Sequence, residues 1–132
     1  MKILLLDSDV IISYLRGLKK TVVSVDHLFS IGSILGCCPV NITEVYAGMR
    51  ESERSKTEKF INSLRFFSIN REVAKLAGNI IYEYRSKGIT LSSTDAMIAA
   101  VAIKNDFILI TYNKKHYPMN ELKSMSPEEI MY

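Results

Sequence analysis

Two rhythms of hydrophobic and polar positions alternate along the chain. Ile3-Leu4-Leu5-Leu6 is a continuous apolar run halted by Asp7, the pattern of a short strand buried on both faces of a parallel sheet. Val10 to Leu15 then reads as a helix, capped by Asp9 or Ser8 and stopping near Gly17, with a second helix expected over Val22 to Ile31. Gly36 to Val40 predicts a second buried strand. Asn41-Ile42-Thr43-Glu44 has the form of a helix start, with Glu three residues after a capping residue, and that helix runs to about Met49. A helix over Ser55 to Leu64 and a strand over Phe66 to Ile69 follow. From Arg71 to Lys87 the amphipathic spacing is clearest: Val73, Leu76, Ala77, Ile80, Ile81 and Tyr84 share one helical face, and Gly88 closes the helix. Ser92-Ser93-Thr94-Asp95 opens an apolar helix to about Lys104, and Phe107 to Thr111 predicts a fourth strand. After Tyr117 the pattern supports no more than a short edge strand or helix.

Strands alternating with helices predict an α/β protein with a mostly parallel central sheet. A chain of 132 residues fits one domain, 1–132, and shows no internal repeat or low-complexity linker. Its 48% apolar residues suffice for a core, and its net charge of +3 is a mild lean toward anionic partners. The opening apolar run is too short for a signal-peptide core, and no later stretch approaches the roughly 18–20 apolar residues that cross a bilayer. A cytoplasmic protein without a membrane segment is therefore expected. Cys37 and Cys38 are adjacent, so in a strand they point to opposite faces and pair poorly; two reduced, buried cysteines are expected.

The predicted topology gathers acids. In parallel α/β sheets the carboxyl ends of the strands form the ligand edge. Asp7 and Asp9 follow the first strand, Glu44 lies at the start of the helix after the second, and Asn113 and His116 follow the fourth. The helix that begins near Asp95 leads into the fourth strand and so runs antiparallel to it, which returns Asp95 to the same edge. Carboxylates brought together repel unless a cation joins them. Hard oxygen donors suit Mg²⁺ or Mn²⁺, ions that activate water and neutralise phosphoryl charge. Taken singly, Asp9, Glu44 and Asp95 also read as helix caps or as acids favoured by a helix N-terminus. Asp7 fits that alternative least, because an acid at the end of a buried strand is costly without a partner.

These motifs resemble a known family. Leu4-Leu5-Leu6-Asp7-Ser8-Asp9-Val10-Ile11-Ile12 is similar to the opening of PIN-domain nucleases, and Tyr14-Leu15-Arg16-Gly17 continues the likeness in the manner of VapC-type toxins. Val40 to Gly48 resembles the second block, Thr94 to Ala100 the third, and Leu109 to Tyr117 the closing one. The resemblance implies a three-layer α/β/α fold with four to five strands, a Mg²⁺ or Mn²⁺ cofactor and hydrolysis of RNA. It implies catalytic roles for Asp7, Glu44, Asp95 and Asn113, with the three acids as metal ligands. Ser8, Asp9, Thr111 and His116 would support them. Asn113 stands where many relatives carry a fourth acid, a departure that bears on a second metal.

The same resemblance implies a homodimer, a cognate antitoxin, and RNA as substrate, transfer RNA being typical. Arg16, Lys19, Lys20, Lys114 and Lys115 are candidate contacts to the RNA backbone. Arg50, Arg54, Lys56 and Lys59 read as a solvated helix face. Apolar positions after Thr21 and after Ser55 are candidate docking surfaces or core. Two rival readings remain at this point. One is a PIN-like module that binds RNA or protein without cutting. The other is a phosphatase resembling the haloacid dehalogenases, with Asp7 as nucleophile and Asp9 as general acid.

Overall fold

The computed structural model describes residues 3–131; Met1, Lys2 and Tyr132, within the expected 1–132 domain, lie outside the described residues. Five parallel strands form one sheet in the order β3-β2-β1-β4-β5. They are β1 (Ile3–Leu6), β2 (Ile34–Cys37), β3 (Arg65–Phe66), β4 (Ile108–Ile110) and β5 (Lys123–Met125). The helices are α1 (Ser8–Leu15), α2 (Lys19–Ser30), α3 (Pro39–Gly48), α4 (Arg54–Ser63), α5 (Arg71–Ser86) and α6 (Ser93–Asn105).

Two apolar layers sandwich the sheet, because neighbouring residues on a strand face opposite ways. Leu5 and Leu109 are fully buried in one core, together with Val73, Ala77 and Ile80 of α5 and Ala96, Ala99 and Val101 of α6. Leu4, Leu6, Leu35 and Ile110 face the other core, among residues of α1, α2, α3 and α4. The continuous apolar runs of β1 and β4 follow from this double burial. Register aligns the two central strands, Leu5 opposite Leu109 and Leu6 opposite Ile110. The ladder runs one step further, where the Asp7 N–H donates to the Ile110 carbonyl at 2.9 Å.

Several expected boundaries shift, each for a local reason. Asp7 itself caps α1, which takes Ser8 and Asp9 into its first turn. β2 ends at Cys37, because Pro39 lacks the N–H a further strand residue would use and suits the first turn of α3. Cys38 is therefore the residue before α3, and Asn41 sits one turn inside it, not at its cap. β3 is only two residues long, at the sheet's edge, where Phe67 extends the pairing by one bond to the Cys37 carbonyl. At Gly36 a Cβ would meet the Phe67 ring at 2.5 Å, so β2 needs glycine beside that strand. Gly17 takes a φ of +77° just beyond α1, as its expected stop requires. The weakly patterned tail supplies the parallel edge strand β5.

Cys37 and Cys38 are free and buried, as expected. Val25 and Leu28 of α2 and Phe60 and Ile61 of α4 belong to the core, which answers part of the docking question; Val23 and Ile31 remain exposed. Among the described residues, no helix is long and apolar enough to cross a membrane.

Candidate active site at the carboxyl edge of the sheet

The chain reverses at three places along one edge, and each delivers an acid. β1 leads directly into Asp7, whose backbone is still extended and whose Oδ1 accepts from the Ser8 N–H at 2.8 Å. Asp7 Oδ2 accepts two further bonds, from the Thr111 hydroxyl at 2.8 Å and the Tyr117 hydroxyl at 2.9 Å. Thr111 follows β4 and is fully buried, so its hydroxyl is fixed by the strand. Ser92 caps α6, its hydroxyl accepting from the Asp95 N–H at 3.1 Å. That cap sets Asp95 on the first turn, with its Oδ1 3.4 Å from the same Tyr117 hydroxyl that serves Asp7. His116 Nδ1 lies 3.6 Å from Asp95 Oδ2.

Glu44 joins through a relay. The buried Asn41 accepts from the Cys38 N–H at 2.8 Å and donates to Ser8 Oγ at 3.0 Å. Ser8 Oγ in turn donates to Glu44 Oε1 at 2.5 Å. Asn41 thus anchors α3 and orients the hydroxyl that holds Glu44. Asp9 Oδ2 accepts from the Tyr112 N–H and the Asn113 side-chain amide, both at 3.0 Å. Asn113 is therefore placed against Asp9, and its N–H donates to Thr111 Oγ1 at 3.0 Å.

Burial pushes the Asp7 carboxyl above its ordinary value; the Thr111, Tyr117 and Ser8 bonds oppose that shift and the nearby Asp95 adds to it. Burial, then the charge of Asp7, raises Asp9 from 3.8 to about 6. Tyr117 is pushed up by burial and by the charges of Asp7 and Asp95, and so keeps its proton. Asp9 Oδ1 is buried without a hydrogen-bond partner among the described residues. The donors at this edge are oxygens, the set a hard cation prefers. No three acidic, His or Cys side chains among the described residues already form a ligand cage; hydroxyls of Ser8, Thr111 and Tyr117 stand against the acids instead.

Asp9 gives a measurable consequence. Folded Asp9 holds its proton up to about pH 6, whereas an ordinary carboxyl releases it near 3.8. Between those values the folded state binds the extra proton, so stability falls as pH rises through that window and stays lower above it. In chelator, Asp9→Asn should melt higher than wild type at neutral pH, with the gap closing as pH approaches 3.8. Equal melting curves at neutral pH would show that Asp9 carries no such strain.

Arg16, Lys19, Lys20, Lys114 and Lys115 are all exposed. Lys20 Nζ lies 5.0 Å from the Tyr112 ring centre, beside the loop that touches Asp9. Lys114 instead pairs with Glu129, which ties it to the C-terminal segment. Tyr112 strengthens that tie, donating to Glu128 Oε2 at 2.8 Å. Arg54 pairs with Glu51 on an exposed face, while Lys56 and Lys59 rim a groove floored by Tyr14, Leu15 and Phe60. Sequence reading missed Asn41 and Tyr117 as site residues. Tyr117 ends the closing block, directly after the 3-10 turn Lys114–His116, but nothing local marks a tyrosine as facing two carboxylates.

The PIN domain profile matches residues 4–122. Ribonuclease VapC19 of Mycobacterium tuberculosis is 30% identical over 115 residues, 87% of this chain and 92% of that protein. Ribonuclease VapC10 of the same species is 34% identical over 120 residues, covering 89% of this chain and 88% of that one. Among solved structures, DNA-bound VapBC from Salmonella typhimurium superposes with a TM-score of 0.84 at 18% identity, covering 96% of this chain and 99% of that chain. VapBC2 from Rickettsia felis, bound to a DNA fragment from its promoter, gives a TM-score of 0.82 at 18% identity, over 94% and 98%. The phosphatase reading is set aside by the profile match, and the three-layer fold expected from the motifs is the fold observed. With its acids at the carboxyl edge of a parallel sheet and the family profile matching nearly its whole length, the chain belongs to the PIN-domain family, where it stands with the VapC-type proteins.

Proposed function

We propose that this protein is a Mg²⁺- or Mn²⁺-dependent endoribonuclease, the toxin of a toxin–antitoxin pair. The observation that carries the reading is the meeting of Asp7 and Asp95 at one tyrosine hydroxyl, with Glu44 reached through Ser8. The curated relatives, named ribonucleases, support the reaction class. Asp7, Asp95 and Glu44 would hold the cation; the all-oxygen donor set and the burial cost of the Asp7 charge fit one. When bound, such an ion neutralises phosphoryl charge and activates water.

The chain's own residues do the rest. Ser8 and Asn41 hold Glu44 in place, and Thr111 fixes the rotamer of Asp7. Asp9 orders the loop that carries Asn113 and His116. Exposed Arg16, Lys19, Lys20 and Lys115 offer positive charge to the RNA backbone; Lys114 joins them only on leaving Glu129. A cognate antitoxin is supported by the VapBC neighbours and by a further structural neighbour, a toxin–antitoxin complex from Klebsiella pneumoniae. The homodimer and the transfer-RNA substrate rest on the family likeness.

The test is cleavage of total RNA by purified protein. Discrete fragments should form in Mn²⁺ and vanish in chelator. Equal cleavage in chelator would refute the metal dependence. Intact RNA in both, with binding retained, would favour the non-cutting module instead.

A further inference from the structure

We propose that the Tyr117 hydroxyl stands in for the cation between Asp7 and Asp95, and gives up that place when a divalent cation binds. The inference rests on the metal-dependent reading above and adds a residue that competes with the metal.

Three observations point to it. First, the hydroxyl is the atom through which the two acids meet, 2.9 Å from Asp7 Oδ2 and 3.4 Å from Asp95 Oδ1. It carries one proton, so it cannot satisfy both carboxylates fully. Secondly, Asp7 is crowded with donors. Its Oδ1 takes the Ser8 N–H and its Oδ2 takes both Thr111 and Tyr117. A carboxylate oxygen accepts about two such bonds, so Oδ2 has no room for a cation on the side of Asp95 unless a donor leaves. Thr111 is locked by β4 and also accepts from the Asn113 N–H. Tyr117 belongs to no strand: it follows a 3-10 turn, Lys114–His116, and its hydroxyl is bonded to the two acids. Thirdly, the Tyr117 ring is 5% exposed and packs in the apolar layer with α5 and α6. A phenylalanine would fill the same space, so the hydroxyl is not there for packing.

A merely structural hydroxyl and a cation stand-in predict opposite signs. If Tyr117 only satisfies a buried acid, its loss harms the protein with or without metal. If it holds the metal's place, its loss destabilises the metal-free form alone and frees Asp7 for the ion. In Tyr117→Phe, calorimetric titration with Mn²⁺ at mildly alkaline pH should give binding about tenfold tighter than wild type, the scale of one hydrogen bond to a charged group. Its melting temperature should fall below wild type in chelator and regain it in saturating Mn²⁺.

Unchanged or weaker Mn²⁺ binding by folded Tyr117→Phe overturns the inference and leaves the metal-dependent reading intact. Wild type that binds no Mn²⁺, or binds it as well after Asp95→Asn, removes the metal reading and this inference together. Should Tyr117→Phe fail to fold, wild type alone decides: the Tyr117 hydroxyl proton, assigned by NMR, should exchange faster with water in Mg²⁺ than in chelator. No acceleration there also overturns the inference.

Discussion

Asp7→Asn should lose RNA cleavage by at least about a thousandfold while melting no lower than wild type. The expected loss corresponds to about 4 kcal/mol of transition-state stabilisation, within what a correctly held cation supplies to a phosphoryl group. The expected retention of stability follows from burial. Asp7 is 7% exposed, and its surroundings push the carboxyl toward its neutral form. Asparagine has the same shape and carries no charge to desolvate. Its oxygen can still accept the Ser8 N–H, and its amide can donate to the Thr111 and Tyr117 hydroxyls once these rotate. A residue whose removal spares or raises stability while ending activity is one kept for chemistry against the interest of the fold. Assay of total-RNA cleavage in Mn²⁺ beside a thermal scan in chelator reads both quantities. Cleavage near the wild-type rate would remove Asp7 from the active site.

Asn41→Ala should show the reverse pattern, a large loss of stability with a smaller loss of activity. Asn41 is fully buried and makes two bonds, one capping the start of α3 through Cys38 and one to Ser8 Oγ. Alanine leaves a buried N–H and a buried hydroxyl each short of a partner, at a cost of about 2–4 kcal/mol. For a domain of this size that lowers the melting temperature by roughly 10 °C. Ser8 can still donate to Glu44, so cleavage measured well below the melting point should fall only about tenfold. Melting within about 1 °C of wild type would show that neither bond matters to the fold.

The two residues differ in how visible they are along the chain. Asp7 is legible because it interrupts an apolar run, and a charge at the end of a doubly buried strand needs a reason. Asp95 is legible by topology, since a helix leading back into a parallel strand must begin at the ligand edge. Asn41 is misread locally. Its spacing to Glu44 imitates a capping box, yet Pro39 starts the helix earlier and turns Asn41 inward, from cap to relay. Asn113 is placed at the correct edge, but the structure gives it to Asp9 and not to the Asp7–Asp95 pair.

What the sequence determined by itself is the alternation of buried strands and amphipathic helices, and hence the edge where the acids gather. Periodicity and strand-end placement carry that information in contiguous residues. Only the tertiary structure decided which side chains touch. The Tyr117 hydroxyl on Asp7, the Ser8–Glu44 bond and the pairing of Lys114 with Glu129 join residues far apart in the chain. Such contacts depend on the angle at which each helix leaves the sheet and on how much water the packed layers exclude, and no local pattern encodes either.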